Sequence, residues 1–122
     1  MNATQQDSTT APVDLAVMRE TTAALVNPDA TAAPLPEHTD IGVLTATVRG
    51  HLELLIRELE LTAARLPKDS VNRYCVLACI GEARGKLSAQ ASPRYGGELG
   101  YARRLARVLN ALCDHHEKLG AP

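Results

Sequence analysis

The sequence contains no Phe and no Trp among its 122 residues, and its aromatic content is three Tyr. A hydrophobic core must therefore use Leu, Ala, Val and Ile, which suits packing between helices better than packing between sheets. No apolar run approaches the roughly 20 residues that span a bilayer. The polar N-terminus, MNATQQDSTTAP, also lacks the basic and apolar regions of a signal peptide. We therefore expect a cytoplasmic protein with no membrane partner.

Charge and cysteine content exclude further classes of protein. The formal net charge of −1 provides no general attraction for nucleic acid. Glycine-rich phosphate loops, zinc-finger spacings and serine-hydrolase elbows are absent from the sequence. Cys75 and Cys79 lie four residues apart on one predicted helix, where a disulfide is disfavoured, and Cys113 has no further cysteine to pair with. These patterns favour buried thiols that act as small hydrophobic side chains.

The chain divides into four parts. We predict a disordered polar tail over residues 1–11, a weak N-terminal helix over 12–26, a proline-rich linker over 27–39 and a helical bundle domain over 40–120. The weak helix has a narrow apolar stripe at helical spacing, formed by Leu15, Met18, Thr22 and Leu25. We expect it to dock loosely, on its own bundle or on a neighbouring subunit.

The bundle domain has three strong helical patterns. The second helix is predicted from Asp40 to Leu66, with Thr39 as its cap, and the fourth from Glu98 to Leu119. Two apolar lines follow the second helix: Ile41, Val48, Leu52, Leu55 and Leu59 in one, and Val43, Leu54 and Leu61 in the other. The fourth helix has one apolar face, formed by Ala102, Leu105, Leu109, Leu112 and Cys113. Short connections predict an all-α, antiparallel up-down helical bundle.

The third helix, Val71 to Leu87, is predicted to lie at the centre of this bundle. Its apolar residues cover every side at about 100° per residue, and such a helix has to be surrounded. Gly81 and Gly85 lie on one line with Tyr74 and Ala78, although each glycine costs roughly 1 kcal/mol against alanine in a helix. That line predicts a close approach by a neighbouring backbone. We expect a homodimer, because so short a chain cannot easily cover this helix.

Five side chains are candidates for a buried polar or ligand-binding site because they fall on or near predicted buried faces: His51, Glu58, Glu82, Cys113 and His116. One interpretation is a structural network in which a histidine pairs with Glu58 or Glu82. The other is a ligand or metal site, although the Glu-x-x-His pairs of di-iron bundles are absent. We predict no metal and no cofactor. Enzymatic activity stays open and is disfavoured, since nothing supplies an oxyanion hole beside Cys113 and His116.

Three sequence segments resemble a known family: YARRLAR with LNALCDH on the fourth helix, RGHL on the second and CIGEAR on the third. The family consists of small actinobacterial helical proteins of unknown function, often labelled natural product biosynthesis proteins. The resemblance covers roughly Ile41 to Leu119 and implies an intracellular helical protein in a biosynthetic setting, with no established activity. In that family an aromatic residue often follows the histidine where this chain has His116, which disfavours a metal-ligand role for His116.

The leading hypothesis is a non-enzymatic accessory or protein-interaction bundle of bacterial specialised metabolism, acting as a homodimer with a biosynthetic protein partner. The first alternative is a bundle that binds a small ligand, a metal or haem, and that could be an enzyme. The second is a regulator that contacts nucleic acid through a basic edge at Arg103, Arg104 and Arg107. The low net charge disfavours this second alternative.

Overall fold

The computed structural model describes residues 13–26 and 39–120. Four α-helices fill most of this part: α1 (Leu15–Val26), α2 (Ile41–Ala64), α3 (Val71–Ser88) and α4 (Gly97–Gly120), with a short 3-10 turn at Pro93–Tyr95. The predicted all-α fold is confirmed. The disordered tail and nearly all of the proline-rich linker that we predicted lie outside the described residues.

Side chains just before the helices fix where α1, α2 and α3 begin. The Asp14 carboxylate accepts from the Val17 N–H at 3.2 Å, and the Asp40 carboxylate accepts from the Val43 N–H at 3.1 Å. The Ser70 hydroxyl accepts from the Arg73 N–H at 3.2 Å. Each bond satisfies one of the free N–H groups of a first helical turn. The cap of α2 is thus Asp40 rather than the predicted Thr39, and this helix ends at Ala64 instead of Leu66.

The centre of the bundle is α4. It packs against all three other helices, and its predicted apolar face is confirmed because Ala102, Leu105, Leu109, Leu112 and Cys113 are all fully buried. Tyr101 and Val108 extend that buried surface. A helix with neighbours on three sides has to carry apolar residues over a wide arc, which is what α4 does.

The prediction that α3 lies at the centre is wrong. This helix packs only against α2 and α4, and three of its residues are buried: Val76, Ile80 and Ala83. These three lie on one side of the helix, at the three- and four-residue steps of a single buried face. The opposite side is exposed although its residues are also apolar, because no other described helix lies over it.

Two further packing predictions need correction. α1 docks firmly on its own bundle, with Met18 and Leu25 buried against α2 and α4 instead of being loosely held. The two ends of the second apolar line of α2 face solvent, since Val43 is 62% and Leu61 60% exposed, whereas Leu54 between them packs partly buried against the core. Periodicity had suggested two buried lines, but α2 turns its other side to α3 and α4, where Ile56 is buried instead.

Contacts between helices establish the up-down order. Arg49 of α2 donates to the Leu87 carbonyl near the end of α3, whereas Arg73 at the start of α3 donates to the Leu66 carbonyl just after α2. α2 and α3 are therefore antiparallel, as predicted from their short connection. Between α3 and α4 the chain turns tightly at Tyr95, where a Cβ at Gly100 would collide with the Tyr95 carbonyl oxygen. No helix in the described ranges is long and apolar enough to cross a membrane.

Candidate functional site

His116 of α4 and Glu58 of α2 form a polar contact between the two helices. The His116 Nε2 lies 3.1 Å from the Glu58 Oε2, and both side chains are partly exposed, at 27% and 45%. The pair joins two helices at one height, which is how a polar contact fixes helix register. The structure thus brings together two of the five candidate side chains.

His51 lies apart from that pair and contacts α1. Its Nε2 is 3.3 Å from the Thr21 hydroxyl oxygen. That hydroxyl donates its one proton to the Val17 carbonyl at 3.0 Å, so we assign the His51 Nε2–H as the donor to Thr21. Burial lowers the pKa of His51, because a partly buried imidazole loses hydration when it is charged. His51 therefore favours its neutral form in a contact that holds α1.

Cys113 and Glu82 occupy opposite extremes of burial. Cys113 is fully buried on α4, and burial raises the pKa of its thiol. A thiol of this kind is a poor nucleophile because little of it is thiolate near neutral pH. Glu82 was predicted to face inward and is exposed instead, at the rim of a groove between α3 and α4 that Arg104 and Arg107 also line. The five candidates are therefore divided among separate places in the fold.

The described residues contain no group of three or more His, Cys, Asp or Glu side chains placed to hold a metal ion. Their cavities are open grooves of about 250 to 300 Å³, at or below the lower end of the range for small-molecule sites. One of about 300 Å³ lies between the start of α2 and the start of α4, beside Arg49 and Tyr101. Among the described residues, these grooves and polar groups therefore do not form an enclosed ligand site.

Sequence reasoning missed a polar cluster at the end of α3. The Arg49 guanidinium donates to the Leu87 carbonyl at 3.0 Å and to the Tyr101 hydroxyl oxygen, while that hydroxyl donates to the Lys86 carbonyl at 3.1 Å. Carbonyls in the last helical turn lack partners within the helix and carry partial negative charge. A cation there is favourable. Tyr101 could have been found, since it continues the buried spacing of Leu105, whereas Arg49 lies outside both apolar lines of α2.

Arg19 of α1 is a second group that sequence reasoning missed. Its guanidinium donates to the Asn110 side chain, to Asp114 at 2.7 Å and to Glu117. These bonds fasten α1 to α4 over two turns of the central helix. The sequence carried no signal for the contact, because 14 residues separate the end of α1 from the start of α2.

The predicted basic edge of α4 is interrupted. Arg104 donates to the Tyr95 carbonyl at 2.8 Å, and the Nε of Arg103 is buried. Arg107 is the member of the three that is exposed. A row of free cations that could follow a phosphate backbone is therefore not formed on α4.

An unusual exposed surface is the uncovered side of α3, which we call the outer face. It is defined by seven residues at helical spacing: Val71, Tyr74, Cys75, Ala78, Gly81, Glu82 and Gly85. All seven are exposed, Val71 to 74% and Tyr74 to 76%, and Leu77 at its edge is 41% exposed. Monomeric proteins rarely expose contiguous apolar surface of this kind, and such surfaces mark interaction sites. Glu82 is the only charge on it.

The two glycines of the outer face serve no contact within the described fold. A Cβ built on Gly81 or on Gly85 meets no atom within 4 Å. The predicted close approach of a backbone is therefore absent among residues 13–26 and 39–120. Glycine makes a helix less stable than alanine does, and the packing of the described residues gives no reason for Gly81 and Gly85 on this face.

Comparison with known protein families gives a match over most of the chain. A family model matches residues 16–121, which includes α1 as well as the three bundle helices. The chain belongs to the DUF6415 family, a family of unknown function. The uncharacterised family expected from the resemblance is thus shown. No curated protein and no solved structure matches the chain.

Proposed function

We propose that the protein is a non-enzymatic accessory protein of bacterial specialised metabolism that works by binding protein through the outer face of α3. The observation that carries this proposal is the exposure of Val71 and Tyr74 at the start of a face whose later positions are small. The association of an apolar helix face with a protein surface is driven by removal of that face from water.

The placement of the polar groups also supports an interaction protein. His116 pairs with Glu58, His51 contacts Thr21, and Cys113 is buried. Each is engaged in holding the bundle together, whereas the outer face makes no contact with another helix among the described residues. The biosynthetic setting and an actinobacterial, cytoplasmic origin are part of the proposal and rest on the resemblance of the YARRLAR and LNALCDH segments to proteins with that label.

The test is complementation of a host strain that lacks the gene, with its specialised metabolites measured by mass spectrometry. Tyr74→Glu places a charge on the outer face and should fail to complement the deletion. His116→Gln removes the imidazole of the α2–α4 pair and should complement the deletion. Leu61→Glu is the matched control, because Leu61 is similarly exposed at 60% but lies on α2 away from the outer face. All variants should retain the helical circular dichroism of the wild type.

The opposite pattern would refute the proposal. If His116→Gln abolishes function in a folded protein while Tyr74→Glu complements, the polar groups carry the chemistry and the protein acts as an enzyme or ligand binder. If deletion of the gene leaves every metabolite unchanged, the assignment to specialised metabolism is wrong.

A further inference from the structure

We propose that the outer face of α3 binds the same face of a second copy of this chain, antiparallel, about a two-fold axis at Ala78. This inference rests on the proposed function, because it names the partner of the same surface. An antiparallel helix pair with this symmetry brings each position before Ala78 opposite the position equally far after it on the other copy.

Large and small side chains are distributed about Ala78 as this symmetry requires. Val71 and Gly85 lie seven residues before and after it, and Cys75 and Gly81 lie three before and after. Each larger side chain of one copy therefore meets a glycine of the other, and Ala78 meets Ala78. The glycines without a contact in the single chain then become the surface against which a second backbone packs closely.

The remaining symmetric pair is polar. Tyr74 and Glu82 lie four residues before and after Ala78, so the Tyr74 hydroxyl of one copy comes level with the Glu82 carboxylate of the other. A hydroxyl can donate to a carboxylate across such a contact. The one charge of the outer face therefore has a partner in the pair, and the two-fold axis supplies this bond twice.

A parallel pair in register would keep Ala78 beside Ala78 but would lose the other contacts. It would bring Glu82 beside Glu82 and Tyr74 beside Tyr74, and it would leave Gly81 facing Gly81 across a gap. Like charges at one height repel, and facing glycines provide no side chain to fill the space. The sequence of the face is thus complementary to itself in one direction only.

The length of α3 sets the strength of the association. Its 18 residues extend about 27 Å at 1.5 Å per residue. One helix pair of that length buries less than the roughly 1,600 Å² of a standard interface, so we expect a dissociation constant in the micromolar range. Sedimentation equilibrium of the full chain from about 1 to 200 μM covers this range.

The first experiment is that sedimentation series on wild type, Gly81→Leu and Leu61→Glu. Wild type should reach twice the monomer mass, and Leu61→Glu should match it. Gly81→Leu should stay monomeric to the top of the series while its melting temperature is equal to or above that of the wild-type monomer, because its Cβ meets nothing in the single chain. Loss of the dimer is therefore separable from loss of the fold.

The second experiment tests the position of the axis. In a background of Cys75→Ser and Cys79→Ser, Ala78→Cys should form a disulfide-linked dimer under mild oxidation, because the two residues 78 meet at the axis. Asn72→Cys is the control, since it is exposed on the same helix but points away from the outer face, and it should stay uncrosslinked. Cys113 is fully buried and takes no part.

Three results would overturn the inference. They are a wild-type monomer throughout the concentration series, a Gly81→Leu protein that still dimerises, and Asn72→Cys linking as readily as Ala78→Cys. A monomeric wild type combined with failed complementation by Tyr74→Glu would refute self-pairing and leave the proposed function standing with another protein as the partner. A monomeric wild type combined with full complementation by Tyr74→Glu would refute both self-pairing and the proposed function.

Discussion

Replacement of Arg19 by alanine tests whether α1 belongs to the folded bundle. The Arg19 guanidinium donates to the Asn110 side chain and carbonyl and to two carboxylates, Asp114 and Glu117. Hydrogen bonding to Asp114 raises the pKa of Arg19, so the side chain keeps its charge at every practical pH. Arginine and alanine are both good helix formers, so the change acts on these contacts and leaves the propensity of α1 nearly unchanged.

The expected loss follows from the exposure of each partner. A hydrogen bond from a charged donor contributes about 1.5 to 3 kcal/mol, and we take the lower value for the Asn110 contact because Arg19 is 30% exposed. The carboxylates of Asp114 and Glu117 are 67% and 58% exposed, so the two ion pairs together add about 0.5 kcal/mol after screening by water. Arg19→Ala should therefore lower the free energy of unfolding by about 2 kcal/mol.

Urea unfolding followed by circular dichroism measures this loss, with Glu20→Ala as the control because Glu20 is exposed on the same helix. At about 1 M NaCl, where charges are screened beyond roughly 3 Å, the difference between Arg19→Ala and wild type should shrink only by the ion-pair part. A difference below about 0.5 kcal/mol in low salt would refute the estimate. Full rescue by Arg19→Lys would show that the forked geometry of the guanidinium is unimportant.

Two further predictions concern polar groups that join helices. The pKa of His51 is lowered in the fold, so the unfolded chain binds more protons than the folded one as the pH falls. The stability that neutral His51 contributes should be present above about pH 6.5 and be lost as the pH falls through the folded pKa. Urea unfolding measured against pH should therefore show a weaker pH dependence in His51→Gln than in the wild type. An equal dependence in the variant would contradict this. Tyr101→Phe removes the donor to the Lys86 carbonyl and should cost about 1 to 2 kcal/mol in urea unfolding, whereas Tyr95→Phe, on a residue 61% exposed, should cost nothing measurable. If the two variants lose equal free energy of unfolding, the Tyr101 hydroxyl does not stabilise the polar cluster at the end of α3.

Helix existence was predictable because the apolar spacing and the breakers are local. The second, third and fourth helices were placed to within two residues at each end, and the predicted apolar face of α4 is buried throughout. Local patterns could not say which of two apolar sides faces a neighbour. That choice depends on the number of helices around each one, so Val43 and Leu61 were assigned to the core and are exposed.

The candidate site was predictable only in part, for a related reason. His116 and Glu58 were expected near buried faces, yet their pairing depends on the height at which α2 and α4 align, which no spacing within one helix records. Arg49 and Tyr101 are 52 residues apart in the chain and meet for the same reason. Long polar side chains reach across helices, so their partners follow from the tertiary arrangement.

The outer face of α3 gives a last prediction that other members of the family can test. The sequence indicated that this helix must be surrounded, and the described residues of one copy cover it on one side only. If a second copy covers the rest, a family member with a larger residue at the position of Gly85 should carry a smaller one at that of Val71, because the two share one space across the axis. An alignment of the family would show whether the sizes of the two residues vary together. Sedimentation of Val71→Ala/Gly85→Val, in which the larger side chain moves to position 85, tests the same contact directly. The swapped variant should dimerise where Gly85→Val alone does not. Independent variation at the two positions, with no rescue by the swap, would show that they never meet.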